Sequence, residues 1–242
     1  MSIVFGIHAV EEALAVGRPA ERLLVAKGRR GGAIDKLVQA ARAANVPVRF
    51  VSRAEVDRAA GQGTHQGVVL IAGAKRYATL EEAIEAAASP GLLVVLDGVQ
   101  DPHNLGAVLR SAAAAGADGV IVPERRAAGI TPATEKAAVG AVEHVAVARV
   151  TNVSRALDDL KAAGYWLVGF DSSAEGTYHE IDLTGPVALV LGGEEKGLRE
   201  QVRKHCDFVV SIPVVGGVES LNVSVAAGIA LYEARRQRDA KK

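Results

Sequence analysis

The chain has 242 residues and carries 28 basic and 28 acidic side chains, so its formal charge is zero, which argues against a generic nucleic-acid binder. Hydrophobic residues make up 49% of it, aromatic residues only 4%, and it holds 26 glycines, a make-up that suits an α/β protein of small and aliphatic residues and excludes a disordered chain. The single cysteine, Cys206, excludes an internal disulfide and any multi-cysteine metal site.

No basic region or long apolar run opens the chain, and no apolar stretch is long enough to span a bilayer. A soluble cytoplasmic protein without signal peptide or membrane anchor is expected. The charge is unevenly spread: residues 1–73 contain ten basic against six acidic side chains, which suits a polyanionic partner or, more plainly, solvated helix faces. Within that part, apolar residues spaced by three and four over 3–16 predict a helix from about His8. A short strand at 22–26 leads into the basic loop Lys27-Gly28-Arg29-Arg30-Gly31-Gly32. A second helix around Ile34, Leu37, Val38 and Ala41, a strand at 48–51, a helix over 53–60 and a strand at 67–71 complete a compact α/β module. The polar helix 80–88, closed by Ser89-Pro90-Gly91, reads as linker, giving expected domains of 1–73 and 92–242 joined by 74–91.

The second domain opens on Leu92–Leu96, fully apolar as parallel sheets require. Helices are expected near 104–115, 132–138 and 153–163, the last capped by Thr151 or Asn152. Strands follow at 119–122, 145–148, 166–170, 186–191 and 208–212, with a final helix to about Arg238.

Three turns lie at C-terminal strand ends, where open α/β sheets bind ligands. The first runs from Asp97 through Asp101-Pro102-His103-Asn104 to Arg110, where Asp101 suits a helix cap and an arginine sits in an otherwise apolar helix. The second is Gly192-Gly193-Glu194-Glu195-Lys196-Gly197-Leu198, which is neither a Rossmann fingerprint nor a P-loop. The third is Ile212-Pro213 through Gly216-Gly217 to Ser220-Leu221-Asn222-Val223-Ser224, a strand–turn–helix unit whose polar residues can cap the helix or face a ligand.

Together, in this order and spacing, the three turns resemble the signature motifs of the SpoU class of RNA ribose 2′-O-methyltransferases. Val214 and Glu195 depart from the usual pattern at positions not assigned to chemistry. Phe5-Gly6-Ile7-His8 and His65-Gln66-Gly67-Val68 resemble the substrate-binding extension of the guanosine-modifying branch, similar in fold to ribosomal protein L30e. The resemblance implies an α/β fold with a C-terminal parallel sheet, a deep trefoil knot and a small N-terminal α/β domain. It also implies a homodimer that methylates a guanosine ribose of 23S rRNA with S-adenosylmethionine and without a metal. The implied catalytic set is Asn104, Arg110, Glu194, Ser220 and Asn222, with Ser220 and Asn222 orienting Arg110, and Glu194 and Asn104 holding the knot loops and the guanidinium. The implied cofactor contacts are Leu191, Gly192, Gly193, Gly197, Ile212, Pro213, Gly217, Leu221 and Asn222. Arg29, Arg30 and His8 are candidate RNA contacts. The alternatives are a tRNA ribose methyltransferase and a non-catalytic RNA-binding or ribosome-assembly protein of the same fold. A nicotinamide-dependent enzyme is disfavoured because no G-x-G-x-x-G follows a first strand.

Overall fold

The computed structural model describes residues 2–29, 31–61, 64–194 and 197–241. The chain forms two compact units, residues 1–76 with 130–144, and residues 77–129 with 145–242.

In the first unit the elements are β1 (Ser2–Phe5), α1 (Ile7–Ala15), β2 (Ala20–Ala26), α2 (Gly32–Ala43), β3 (Val48–Val51), α3 (Arg53–Ala60) and β4 (Val68–Ala72). The strands form a mixed sheet in the order β1-β4-β2-β3, with β2 and β3 parallel and the other pairs antiparallel. Helices α1 and α2 bury Val10, Leu14, Leu37 and Ala41 in one apolar cluster, and α3 buries Val56 and Ala60 in another. The Ser52 hydroxyl caps α3 by accepting from Glu55 N. The helix expected from about His8 is α1, which starts at Ile7, and β1 precedes it as a strand that was not expected. Ile3 and Val4 fall in phase with the α1 pattern, but their backbone pairs with β4 in the register Ser2 to Ala72.

The second unit begins inside the segment expected to be linker. Helix α4 (Leu80–Glu85) starts at a reciprocal capping box between Thr79 and Glu82, and it buries Leu80 and Ala83 in the same core as Leu93 and Val95. Residues from 77 onward are thus part of this unit, because α4 has an apolar face that a linker would leave wet. Next come β5 (Leu92–Asp97), α5 (Pro102–Ala115) and β6 (Gly119–Pro123).

Helix α6 (Pro132–Ala138) and a 3-10 turn at Ala141–Glu143 then belong to the first unit. They are held there by charge as much as by packing. Buried Arg18 pairs with Glu135 at 2.9 Å and with Glu143 at 2.8 Å, and it also donates to Gly73 O. Lys75 takes the other Glu143 oxygen at 2.9 Å, and the Ser2 hydroxyl donates to Glu135. Burial raises the Glu135 carboxyl pKa even though Arg18 pulls the other way.

The chain completes the second unit with β7 (Ala146–Val150), α7 (Val153–Ala162), β8 (Trp166–Phe170), β9 (Val187–Gly192), α8 (Glu200–His205), β10 (Phe208–Val210) and α9 (Val223–Ala240). Its six strands are all parallel in the order β10-β8-β9-β5-β6-β7. The basic end of α9 is largely engaged within the protein. Arg238 donates to the carbonyls of Pro90, Gly91, Leu183 and Gly185, and Arg236 forks onto Glu233. Among the described residues no helix is long and apolar enough to cross a membrane.

Candidate active site

A cleft of about 510 Å³ opens at the C-terminal ends of β8 and β9 and is closed by the stretch that leads into α9. Aliphatic side chains (Leu191, Ile212, Val214, Leu221) share its lining with the carboxylates of Asp171, Glu194 and Glu219. The wall is backbone-rich for a steric reason. A Cβ on Gly192 would lie 1.9 Å from the carbonyl carbon of Gly197, and one on Gly193 would lie 2.6 Å from Gly98 O. Gly193 and Gly197 also form an isolated antiparallel bridge, so only glycine lets these strands of backbone meet.

Beside the cleft, α5 starts where local sequence demands it: the Asp101 carboxylate accepts from His103 N at 2.8 Å, and Pro102 occupies the first turn. This start aims Asn104 at Glu194, which accepts from Asn104 Nδ2 at 2.9 Å and from the backbone of Gln100 and Asp101 at 3.2 and 3.3 Å. Partial burial alone would raise the Glu194 pKa, but those hydrogen bonds together outweigh it and hold the carboxyl below the usual range. Asn104 Oδ1 in turn accepts from Asn222 Nδ2 at 3.0 Å. Asn222 caps α9 at the same time, its oxygen accepting from Ser224 N at 2.9 Å and from the Ser224 hydroxyl at 2.6 Å. One asparagine therefore serves as helix cap and as network member.

Of the expected cofactor contacts, Leu191, Gly192, Gly193, Gly197, Ile212, Leu221 and Asn222 line the cleft, whereas Pro213 and Gly217 are exposed and outside its lining. Ser220 and Glu194 also line it, and Asn104 joins through the hydrogen bonds above. Arg110 stands apart. It is exposed, does not line the cleft, and among the described residues has neither a hydrogen-bond nor an ion-pair partner. The expected contacts from Ser220 and Asn222 to its guanidinium are not made in this chain, because the Asn222 amide is taken by Asn104 and Ser224.

In the first unit, Arg29 is exposed and has no ion pair among the described residues, His8 lies 4.0 Å from Glu11, and Arg30 falls outside the described residues. Burial pushes the Cys206 thiol up to about 12, which keeps it protonated and unreactive. Among the described residues no group of three or more His, Cys, Asp or Glu side chains is placed to hold a metal ion.

The sequence reading missed two features. Phe170, Asp171 and Ser172 form a third wall of the cleft at the end of β8, a strand that the sequence had shown and whose following turn obeys the same strand-end rule. Asp97, fully buried at the end of β5, accepts from Arg199 N at 3.2 Å and from its Nε at 2.8 Å, with Nη2 also in contact.

Residues 91–232 match the SpoU rRNA Methylase family, and residues 3–78 match the family described as RNA 2′-O ribose methyltransferase substrate binding. The chain is 44% identical to the 23S rRNA (guanosine-2′-O-)-methyltransferase RlmB of Pseudomonas putida, over 99% of this chain and 98% of that protein. It is 40% identical to the putative TrmH family tRNA/rRNA methyltransferase YacO of Bacillus subtilis, over 98% and 96% of the two chains. In structure it is similar to the SpoU methyltransferase AviRb from Streptomyces viridochromogenes in complex with the cofactor AdoMet, with a TM-score of 0.84 and 28% identity, covering 98% of this chain and 90% of that one.

Proposed function

The chain belongs to the SpoU rRNA methylase family, and we propose that it transfers the methyl group of S-adenosylmethionine to the 2′-hydroxyl of a guanosine in 23S rRNA. Near full-length identity to the Pseudomonas putida enzyme carries the choice of substrate. The cleft supports the cofactor. Its volume of about 510 Å³ lies within the roughly 300–1,000 Å³ of small-molecule sites. Its aliphatic wall suits an adenine ring, and the Glu219 carboxylate suits a ligand bearing sulfonium and ammonium charge.

When bound, the cofactor supplies a methyl carbon already activated by its sulfonium, so the step needs alignment and loss of the hydroxyl proton rather than a metal. Glu194 is a positioning residue: both its oxygens are occupied by donors, and its lowered pKa makes it a poor base. Through Asn104 and Asn222 it ties the glycine wall to the start of α9. Arg110 holds the ribose and its neighbouring phosphate by charge. An arginine stays protonated, so Arg110 steadies the ribose oxygen as it gains negative charge while the hydroxyl proton leaves to solvent water.

We further propose a homodimer in which the exposed apolar residues Val218, Val225 and Tyr232 are covered by a second copy, and in which the unpartnered Arg110 serves the cleft of that copy. A knotted backbone at 192–222 is part of this proposal and rests on membership of the family. An RNA-binding first unit of the L30e type, acting in the cytoplasm, completes the reading. The tRNA alternative is kept because the Bacillus subtilis relative is named for both RNAs.

Incubation with tritiated S-adenosylmethionine and either unmodified 23S rRNA or total tRNA, followed by mapping of ribose methylation, tests this. Label at one guanosine of 23S rRNA is the expected result. Label confined to tRNA would overturn the substrate, cofactor binding without transfer to either RNA would point to a ribosomal precursor as substrate, and no cofactor binding at all would favour a non-catalytic assembly protein.

A further inference from the structure

We infer that Asp97 and Arg199 form a clamp that sets the glycine wall of the cleft, and that both are positioning residues for cofactor binding. The inference rests on the S-adenosylmethionine reading above and extends it to a pair of residues outside the cleft lining.

The described parts of the wall leave the sheet at Gly192, the end of β9, and enter the apolar core at Leu198. Asp97 and Gly192 are register partners at the ends of β5 and β9, so the loop starts directly beside the Asp97 backbone. It is fastened at three places. Gly193 bridges to Gly197, Glu194 is held by Gln100, Asp101 and Asn104, and Arg199 is held by Asp97. The first two lie at the cleft itself. The third lies where the chain passes into α8, and of the three it alone pairs two opposite charges.

Its chemistry explains the residue types. The Asp97 side chain is 0% exposed, whereas that of Arg199 is 57% exposed. A carboxylate sealed at a strand end requires a cation and several donors, and the guanidinium with its own backbone N–H supplies three. The hydrogen bonds that Arg199 donates to Asp97 raise its pKa, as a partner that favours the charged form must. Because Arg199 binds through both its backbone and its fork, Asp97 fixes the position and the direction of the chain immediately after Gly197 and Leu198. Leu198 is buried in the core beside Val202, so the clamp and the core meet at one turn. An ammonium in place of the guanidinium keeps the charge and loses the two-point geometry.

The clamp is tested in the full chain by titrating S-adenosylmethionine into wild type, Arg199→Ala, Arg199→Lys and Asp97→Asn by calorimetry. Steady-state kinetics on 23S rRNA and thermal unfolding accompany each titration. The expected result is a Kd for S-adenosylmethionine raised about tenfold in Arg199→Ala and Asp97→Asn, and by less in Arg199→Lys. The KM for RNA should stay unchanged, since the clamp acts through the cofactor cleft. A folded Arg199→Ala protein with wild-type Kd would overturn the clamp. So would loss of kcat or a raised KM for RNA at unchanged cofactor Kd, which would make exposed Arg199 an RNA contact. Should Arg199→Ala and Asp97→Asn fail to fold, wild-type affinity in Arg199→Lys would be decisive against it. Wild type that binds no S-adenosylmethionine would overturn the methyl-transfer reading itself, and the clamp with it.

Discussion

The two units each carry a polar cluster that joins residues far apart in the chain, and the clusters are built on opposite terms. In the first unit, Arg18, Lys75, Glu135 and Glu143 close on one another, and the side chains of Arg18 and both glutamates are only 5% exposed. In the second unit, Glu194, Asn104 and Asn222 are linked in the open at a cleft that an exposed Ser220 also lines, while Arg110, outside the lining, has no partner among the described residues. A cluster whose charges are all matched and dry has nothing left to offer a ligand. A cluster that is wet and incomplete spends its stability on availability, and that is the signature of a working site. The contrast also shows why ion pairs alone are poor guides to function: the stronger set here holds α6 in place.

Breaking the closed cluster should have the largest effect on stability. Arg18→Ala leaves two carboxylates buried without their main cation, and urea unfolding of the first unit should lose about 3–5 kcal/mol. S-adenosylmethionine affinity, measured on the remaining folded protein, should be unchanged. An equal loss of cofactor binding would erase the distinction between the clusters.

A smaller effect sharpens the same contrast through its sign. The Glu194 pKa is lowered in the folded chain, so its contribution is present above the unfolded value and disappears as pH falls through the folded one. The Glu135 pKa is raised, so the native state loses stability as pH climbs from the ordinary glutamate value to the raised one. Chemical denaturation across about pH 3 to 6 should show the advantage of wild type over Glu194→Gln growing with pH. The advantage over Glu135→Gln should shrink over the same range. For the largely exposed Glu194 the whole swing should stay within about 1 kcal/mol.

Much of the second unit was legible in the sequence because its signals are local. The fully apolar run Leu92–Leu96 marks a buried parallel strand, Asp101-Pro102 marks a helix start, and the order of three turns marks a known class of site. What stayed hidden depends on partners distant in sequence. Nothing near Glu135 reports that it meets Arg18, and nothing near Arg199 reports that it seals Asp97. Strand β1 is only four residues long and runs straight into a helix of compatible apolar spacing, so its pairing with β4 has no local trace. Asn222 was open to two roles, capping or chemistry, and its two ends take one each: the oxygen caps α9 while the amide reaches Asn104.

The most direct test of the central claim is methyl transfer to 23S rRNA by Arg110→Ala. Arg110 makes no side-chain hydrogen bond or ion pair among the described residues, so its removal should leave the melting temperature and S-adenosylmethionine affinity unchanged while transfer falls about 10²–10³-fold. Transfer at the wild-type rate would contradict the assignment of Arg110 to the reaction and the methyl-transfer mechanism built on it.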